Sequence, residues 1–233
     1  MTLAGAPTVG VLALQGGVSE HASVLEGLGA RVALVRRPEH AAGPDGPRVD
    51  ALVLPGGESG VIDRLSRRLG IADPLRDLIL AGIPTLGTCA GLILLAERVA
   101  DPAPGQQSLR VLDVTVRRNA FGAQVASREA EFMLAPGTAD AGPQTGAEPG
   151  ATVRGALIRA PEIMGVGEAA RPIAHVDGRV VGAASTALPI TGVAFHPEVS
   201  GDPVLHRMLL GQIDGSAAVT ERNAPRVHRT ADA

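Results

Sequence analysis

Along its first hundred residues the chain alternates unbroken apolar runs with stretches of helical period. Residues 8–14, Thr-Val-Gly-Val-Leu-Ala-Leu, run without a charge into Gln15-Gly16-Gly17, the pattern of a strand buried on both faces of a parallel sheet. Over 18–28 the apolar residues Val18, Ala22, Leu25 and Leu28 recur at helical spacing, with Gly29 as the stop signal. The alternation repeats as strands at 31–35, 49–54 and 83–86 and helices at 61–69, 74–80 and 92–98, while 38–47 reads as a Gly/Pro/Ala loop. The second half differs. Short strand-like runs at 111–117, 131–134, 153–158, 173–176, 180–184 and 190–195 follow one another with few helices between them, so part of this half is antiparallel. A last helix is predicted over 203–213. The expectation is an α/β fold in one domain over 1–214. Residues 135–150, almost without bulky side chains, are expected to be an exposed, mobile insertion, and 215–233 a disordered tail.

Where the strand at 83–86 gives way to the helix at 92–98 stands Gly87-Thr88-Cys89-Ala90-Gly91. A nucleophile on so tight a turn needs residues without side-chain bulk two places before and after it, and Gly87 and Gly91 meet that need. The sulfur of Cys89 would meet the positive end of the following helix, which favours nucleophilic attack. Alone, a single cysteine in an apolar run reads as a small buried hydrophobe; the elbow glycines and a distant His196-Pro197-Glu198 reverse that reading. Proline biases its predecessor to extended backbone and fixes its own φ, so His196 and Glu198 project to one side. Glu198 then orients the imidazole, and His196 takes the thiol proton and returns it to a leaving amine.

A second glycine turn, Pro55-Gly56-Gly57-Glu58-Ser59, closes the strand at 49–54. In open parallel sheets ligands bind at this carboxyl edge, although the segment also reads as an ordinary loop with a helix N-cap at Ser59. Gly16-Gly17 fits neither dinucleotide nor Walker pattern and reads as a strand-to-helix turn. His21 reads as a surface or partner-facing histidine, because no second metal-type residue lies at a matching spacing; no metal site is expected.

Composition narrows the function further. Aromatics make up 1% of the chain against 45% hydrophobic residues, so Ala, Val, Leu and Ile must build the core and no platform for stacking bases exists. A net charge of -3 without a basic cluster argues against nucleic acid, and no apolar run is long enough to span a bilayer. One cysteine and no secretory pattern point to a reducing cytoplasm. All 21 Lys+Arg positions are arginine, so chemistry that needs a lysine imine must be carried out by another polypeptide.

The motifs now on the page resemble those of the class I (triad) glutamine amidotransferases, and most closely the PdxT/SNO family of pyridoxal 5'-phosphate synthase glutaminases. The resemblance rests on Val11-Leu12-Ala13-Leu14-Gln15-Gly16 with Glu20-His21, on Leu54-Pro55-Gly56-Gly57-Glu58-Ser59, on the cysteine elbow, on Arg118-Asn119-Ala120-Phe121-Gly122, on Ile158-Arg159-Ala160-Pro161 and on Phe195-His196-Pro197-Glu198. It implies a flavodoxin-like three-layer fold and hydrolysis of L-glutamine without a cofactor. It further implies ammonia delivery to a PdxS-type synthase subunit in a large hetero-oligomer. By the same resemblance Cys89, His196 and Glu198 form the triad, and Gly57, Glu58, Ser59, Arg118, Ile158 and Arg159 bind glutamine. The backbone N–H groups of Gly57 and Ala90 are the candidate oxyanion donors. The chain departs from the family pattern at Gly60-Val61, where Thr usually follows Ser59, at Ala123, where Arg usually follows Phe-Gly, and in the longer tract at 135–150. Two other readings stay open: another cysteine-elbow hydrolase such as a γ-glutamyl hydrolase or a DJ-1-like protein, and a catalytically silent subunit that only binds a partner.

Overall fold

The computed structural model describes residues 5–120, 128–135 and 150–213. Most of the expected insertion (136–149), the tail at 215–233, and Phe121, Gly122 and Ala123 lie outside these residues.

The apolar runs become a parallel sheet. Strand β1 (Thr8–Leu12) lies between β2 (Arg31–Val35) and β5 (Ala51–Leu54), and β5 is followed by β6 (Thr85–Thr88) and β14 (Ile190–Val193), all in parallel register. Numbered among themselves, these five strands stand in the order 2-1-3-4-5, which is that of flavodoxin-like sheets. From β1 the chain steps one way to β2, and from β5 the other way to β6. Right-handed crossovers therefore put α1 (Val18–Gly27) on one face and α3 (Ser59–Arg68) with α4 (Ala72–Leu80) on the other. Helix α6 (Val204–Gly211) joins α1, meeting it through His21 and His206.

β5, β6 and β14 are buried at every position, as is α5 (Ala90–Leu95), so the sheet centre is a continuous aliphatic core. At about 25 cal/mol per Å² of apolar surface, such side chains supply the main driving force of folding. Among the described residues the aromatic share is spent at one place: Phe132 and Phe195 stack with ring centroids 3.8 Å apart and planes 7° from parallel.

Part of the second half is antiparallel, as expected. β13 (Arg179–Ser185) pairs with β14, with β12 (Ala170–Val176) and with β11 (Glu162–Val166), and β11 pairs with β8 (Leu112–Arg117), all antiparallel. β9 (Arg128–Met133) and β10 (Thr152–Leu157) form a separate two-stranded sheet.

Three local expectations are corrected. The helix at 92–98 ends at Leu95, and β7 (Ala96–Val99) pairs parallel with β8; no breaker residue marks that change, because strand pairing overrides helix propensity. The loop at 38–47 contains α2 (Pro38–Ala41) and a small hairpin of β3 (Ala42–Gly43) and β4 (Gly46–Pro47). β11 was not expected; Gly165 and a register shift between Ile163 and Gly165 blur its alternation.

Candidate active site

Four neighbouring strands, β1, β5, β6 and β14, end at one rim, and the switch point between β1 and β5 lies among them. Here the two glycine turns interlock. Gly17 N donates to Gly56 O (3.0 Å), Glu58 N donates to Gln15 Oε1 (2.7 Å), and a Cβ on Gly16 would come within 1.8 Å of Gly56 O. Only glycine fits that contact. The turn after β1, which reads as a plain connection, thus braces the turn after β5.

Cys89 sits at the end of β6 with φ 47° and ψ -101°, a sharply turned backbone that places it at the start of α5. The turn closes because its flanks are bare. A Cβ on Gly87 would approach Gly91 C at 2.7 Å, and one on Gly91 would reach Leu54 O at 1.9 Å. Cys89 is 7% exposed yet lines a cavity of about 330 Å³, within the lower range for small-molecule sites (about 300–1,000 Å³).

His196 follows β14, and its main chain is clamped from the side by β10. Ala156 N donates to His196 O (3.1 Å) and His196 N donates to Ala156 O (2.9 Å). Behind it the Phe195 ring lies on Phe132 of β9. His196 Nδ1 is 2.7 Å from Glu198 Oε1, so the proline step does bring the two side chains together. That bond leaves Nε2 available to Cys89, which lines the same cavity and interacts electrostatically with the ring. Burial pulls the His196 pKa down, but the hydrogen bonds and charges of Cys89 and Glu198 outweigh it and raise the pKa to about 10.

Gly57, Glu58, Ser59, Arg118, Ile158 and Arg159 line the same cavity as Cys89, His196 and Glu198. Ala90, next to Cys89, is buried at the first position of α5. The helix cap is Glu58 rather than Ser59: its carboxylate accepts from Gly60 N (3.1 Å) and Val61 N (2.6 Å). Arg118 Nη2 is 3.3 Å from the same carboxylate, and Nη1 donates to Gln106 Oε1 at 2.7 Å. Gln106 Nε2 donates in turn to Ser59 Oγ at 3.0 Å, so one side chain ties the arginine to the glycine turn. Nothing in the sequence marks Gln106. Asn119, Glu20 and Val199 also line the cavity; Asn119 and Glu20 stand inside motifs already singled out, while Val199 is simply the residue after Glu198.

His21 is corrected from surface to core: it is fully buried, with Nε2 3.0 Å from Thr88 Oγ1 and 3.5 Å from Glu198 Oε1. Among the described residues no cluster of three or more His, Cys, Asp or Glu side chains is placed to hold a metal ion, and no helix is long and apolar enough to cross a membrane.

A strand-end cysteine beside a carboxylate-oriented imidazole is the equipment of acyl transfer through a thioester. Residues 11–213 match the SNO glutamine amidotransferase family. The pyridoxal 5'-phosphate synthase subunit PdxT of Clavibacter sepedonicus is 49% identical over 209 residues, covering 89% of this chain and 91% of its own. The protein of the same name in Leifsonia xyli subsp. xyli is 48% identical over 214 residues, covering 91% of this chain and 99% of its own. A crystal structure of a glutamine amidotransferase, 37% identical, superposes with a TM-score of 0.74 over 88% of this chain and 98% of that one. With motifs, sheet order and relatives in agreement over most of its length, the chain belongs to the SNO glutamine amidotransferase family.

Proposed function

We propose that the chain hydrolyses L-glutamine to L-glutamate and ammonia, with Cys89 as nucleophile, His196 as proton carrier and Glu198 as its orienter. The sulfur attacks the side-chain amide carbon, and the carbonyl π pair moves onto oxygen. The resulting oxyanion faces the backbone N–H groups of Gly57 and Ala90. Protonated His196 gives its proton to the amide nitrogen, the C–N bond breaks, and ammonia leaves a glutamyl thioester. Water then attacks that carbonyl while His196 takes its proton, the C–S bond breaks, and glutamate departs. Arg118 and Arg159 face the substrate α-carboxylate, and Glu58 offsets the α-ammonium; Gly57, Ser59 and Ile158 shape the wall between them. The observation that carries this reading is Cys89, on its strained turn, lining one cavity with a histidine that Glu198 holds at 2.7 Å.

Ammonia is useful only where it is captured. The relatives are named as subunits of pyridoxal 5'-phosphate synthase, and this chain has no lysine for imine chemistry. The reading is therefore a glutaminase subunit that serves pyridoxal 5'-phosphate synthesis in the cytoplasm, assembled with a lysine-bearing synthase subunit in a large hetero-oligomer. The test is Cys89→Ala in the assembled complex. Glutamine-dependent product formation should vanish while product formation from ammonium salts persists; unimpaired use of glutamine would overturn the mechanism.

A further inference from the structure

Behind the proposed triad lies a buried file of histidines that the mechanism does not use. His21 on α1 and His206 on α6 are both 0% exposed, and His21 Nδ1 stands 2.8 Å from His206 Nε2. The other nitrogen of His21 is 3.0 Å from Thr88 Oγ1 and 3.5 Å from Glu198 Oε1. That Oε1 is the oxygen 2.7 Å from His196 Nδ1, whereas Glu198 Oε2 is buried without a hydrogen-bond partner. The hold on the carboxylate is thus concentrated on one atom, with His196 on one side and His21 on the other.

Two mutually satisfied core histidines would explain the 2.8 Å contact, but not which way its protons point. Burial lowers the pKa of both rings, that of His206 to about 4 and that of His21 well below the usual value, so each is neutral with one ring proton. A bond between two neutral imidazoles needs one donor and one acceptor, so both rings share one tautomeric sense. If His21 donated to His206, its Nε2 lone pair would face the Glu198 carboxylate, and His206 would carry a buried N–H on Nδ1, an atom that makes no hydrogen bond. Asp202 draws a proton toward His206 through its charge and its backbone carbonyl, but that carbonyl makes no hydrogen bond with Nδ1, and the Asp202 carboxylate is occupied by the N–H groups of Arg154 and Val204. In the opposite sense His206 donates from Nε2, His21 donates toward Thr88, and its N–H dipole faces Glu198. Only a bare acceptor is then left at His206 Nδ1, a cheaper vacancy than an orphaned donor.

We propose, building on the glutaminase reading above, that His21 is a positioning residue for Glu198, held by His206 in the tautomer that carries its proton on Nε2. Its work is to keep the carboxylate aligned with His196 during proton transfer. Long-range proton–nitrogen correlation spectra of the wild-type chain should find both rings in the Nε2–H form; an Nδ1–H form of His21 would overturn the proposal. In the assembled complex His206→Leu should lower glutaminase kcat roughly tenfold, a fraction of what a proton carrier contributes, with KM for glutamine unchanged. His206→Gln keeps an N–H near the Nε2 position and should recover kcat to within about threefold of wild type. Unchanged kcat in His206→Leu, or equal losses in both variants, would also overturn it. If wild type releases no ammonia from glutamine, the glutaminase reading fails by itself, and the spectra still decide the tautomer.

Discussion

Gly56 and His196 share a space that admits no further atom: a Cβ on Gly56 would stand 2.2 Å from His196 Cε1 and 2.8 Å from Nδ1. The glycine turn after β5 is therefore the back wall of the imidazole site. Gly56→Ala should displace the ring from Cys89 and Glu198 and lower kcat by about 100-fold or more, as misplacement near 1 Å does. Steady-state glutaminase kinetics, with circular dichroism to show the fold is kept, checks this.

A different outcome is expected one strand further on. The Cβ of Gly91→Ala would lie 1.9 Å from the Leu54 carbonyl, backbone that cannot swing away. The substitution should destabilise the protein by about 3 kcal/mol or more, read as a lowered midpoint in urea unfolding or as loss of soluble protein.

Gln106 joins Ser59 to Arg118 without lining the cavity. Gln106→Ala breaks the hydrogen bonds to both Ser59 and Arg118, each worth about 1 kcal/mol, and should raise KM for glutamine at least about fivefold with little change in kcat. A loss confined to kcat would place Gln106 elsewhere in the reaction.

Phe132→Ala deletes the ring stacked on Phe195, next to the clamped main chain of His196. Thermal or urea unfolding should report a loss of about 3–5 kcal/mol. Activity measured at a temperature where the variant stays folded should also fall, because the histidine loses its rear support.

The buried histidines set opposite pH trends in stability. The folded pKa of His196, about 10, lies above the ordinary 6.5, so its contribution is complete below pH 6.5 and is lost as the pH rises toward 10. His206, lowered to about 4, contributes fully above pH 6.5 and loses that contribution as the pH falls to 4. The stability difference between wild type and Glu198→Gln should accordingly be largest just below pH 6.5 and shrink toward pH 10, measured by unfolding across that range.

Much of this was legible in the sequence because it rests on local rules. Gly87 and Gly91 announce an elbow by what they lack, and a proline between His196 and Glu198 fixes their relative direction. The parallel strands declare themselves by apolar runs ending in glycine. What stayed hidden depends on partners far along the chain. His21 carries no mark of burial, since the atoms that receive it belong to Thr88, Glu198 and His206. Gln106 gains its role only when Ser59 and Arg118 fold to either side of it. The strand at Ala96–Val99 follows the elbow helix without a breaker, because β8 and not the local sequence decides its conformation.

The chain's only thiol opens onto the candidate cavity. Intact-mass measurement after treatment with a glutamine-like chloroketone therefore has a simple readout: one adduct per polypeptide, with no competing thiol to subtract. The fraction of chains that gain mass counts the competent centres in any preparation, whether free or assembled.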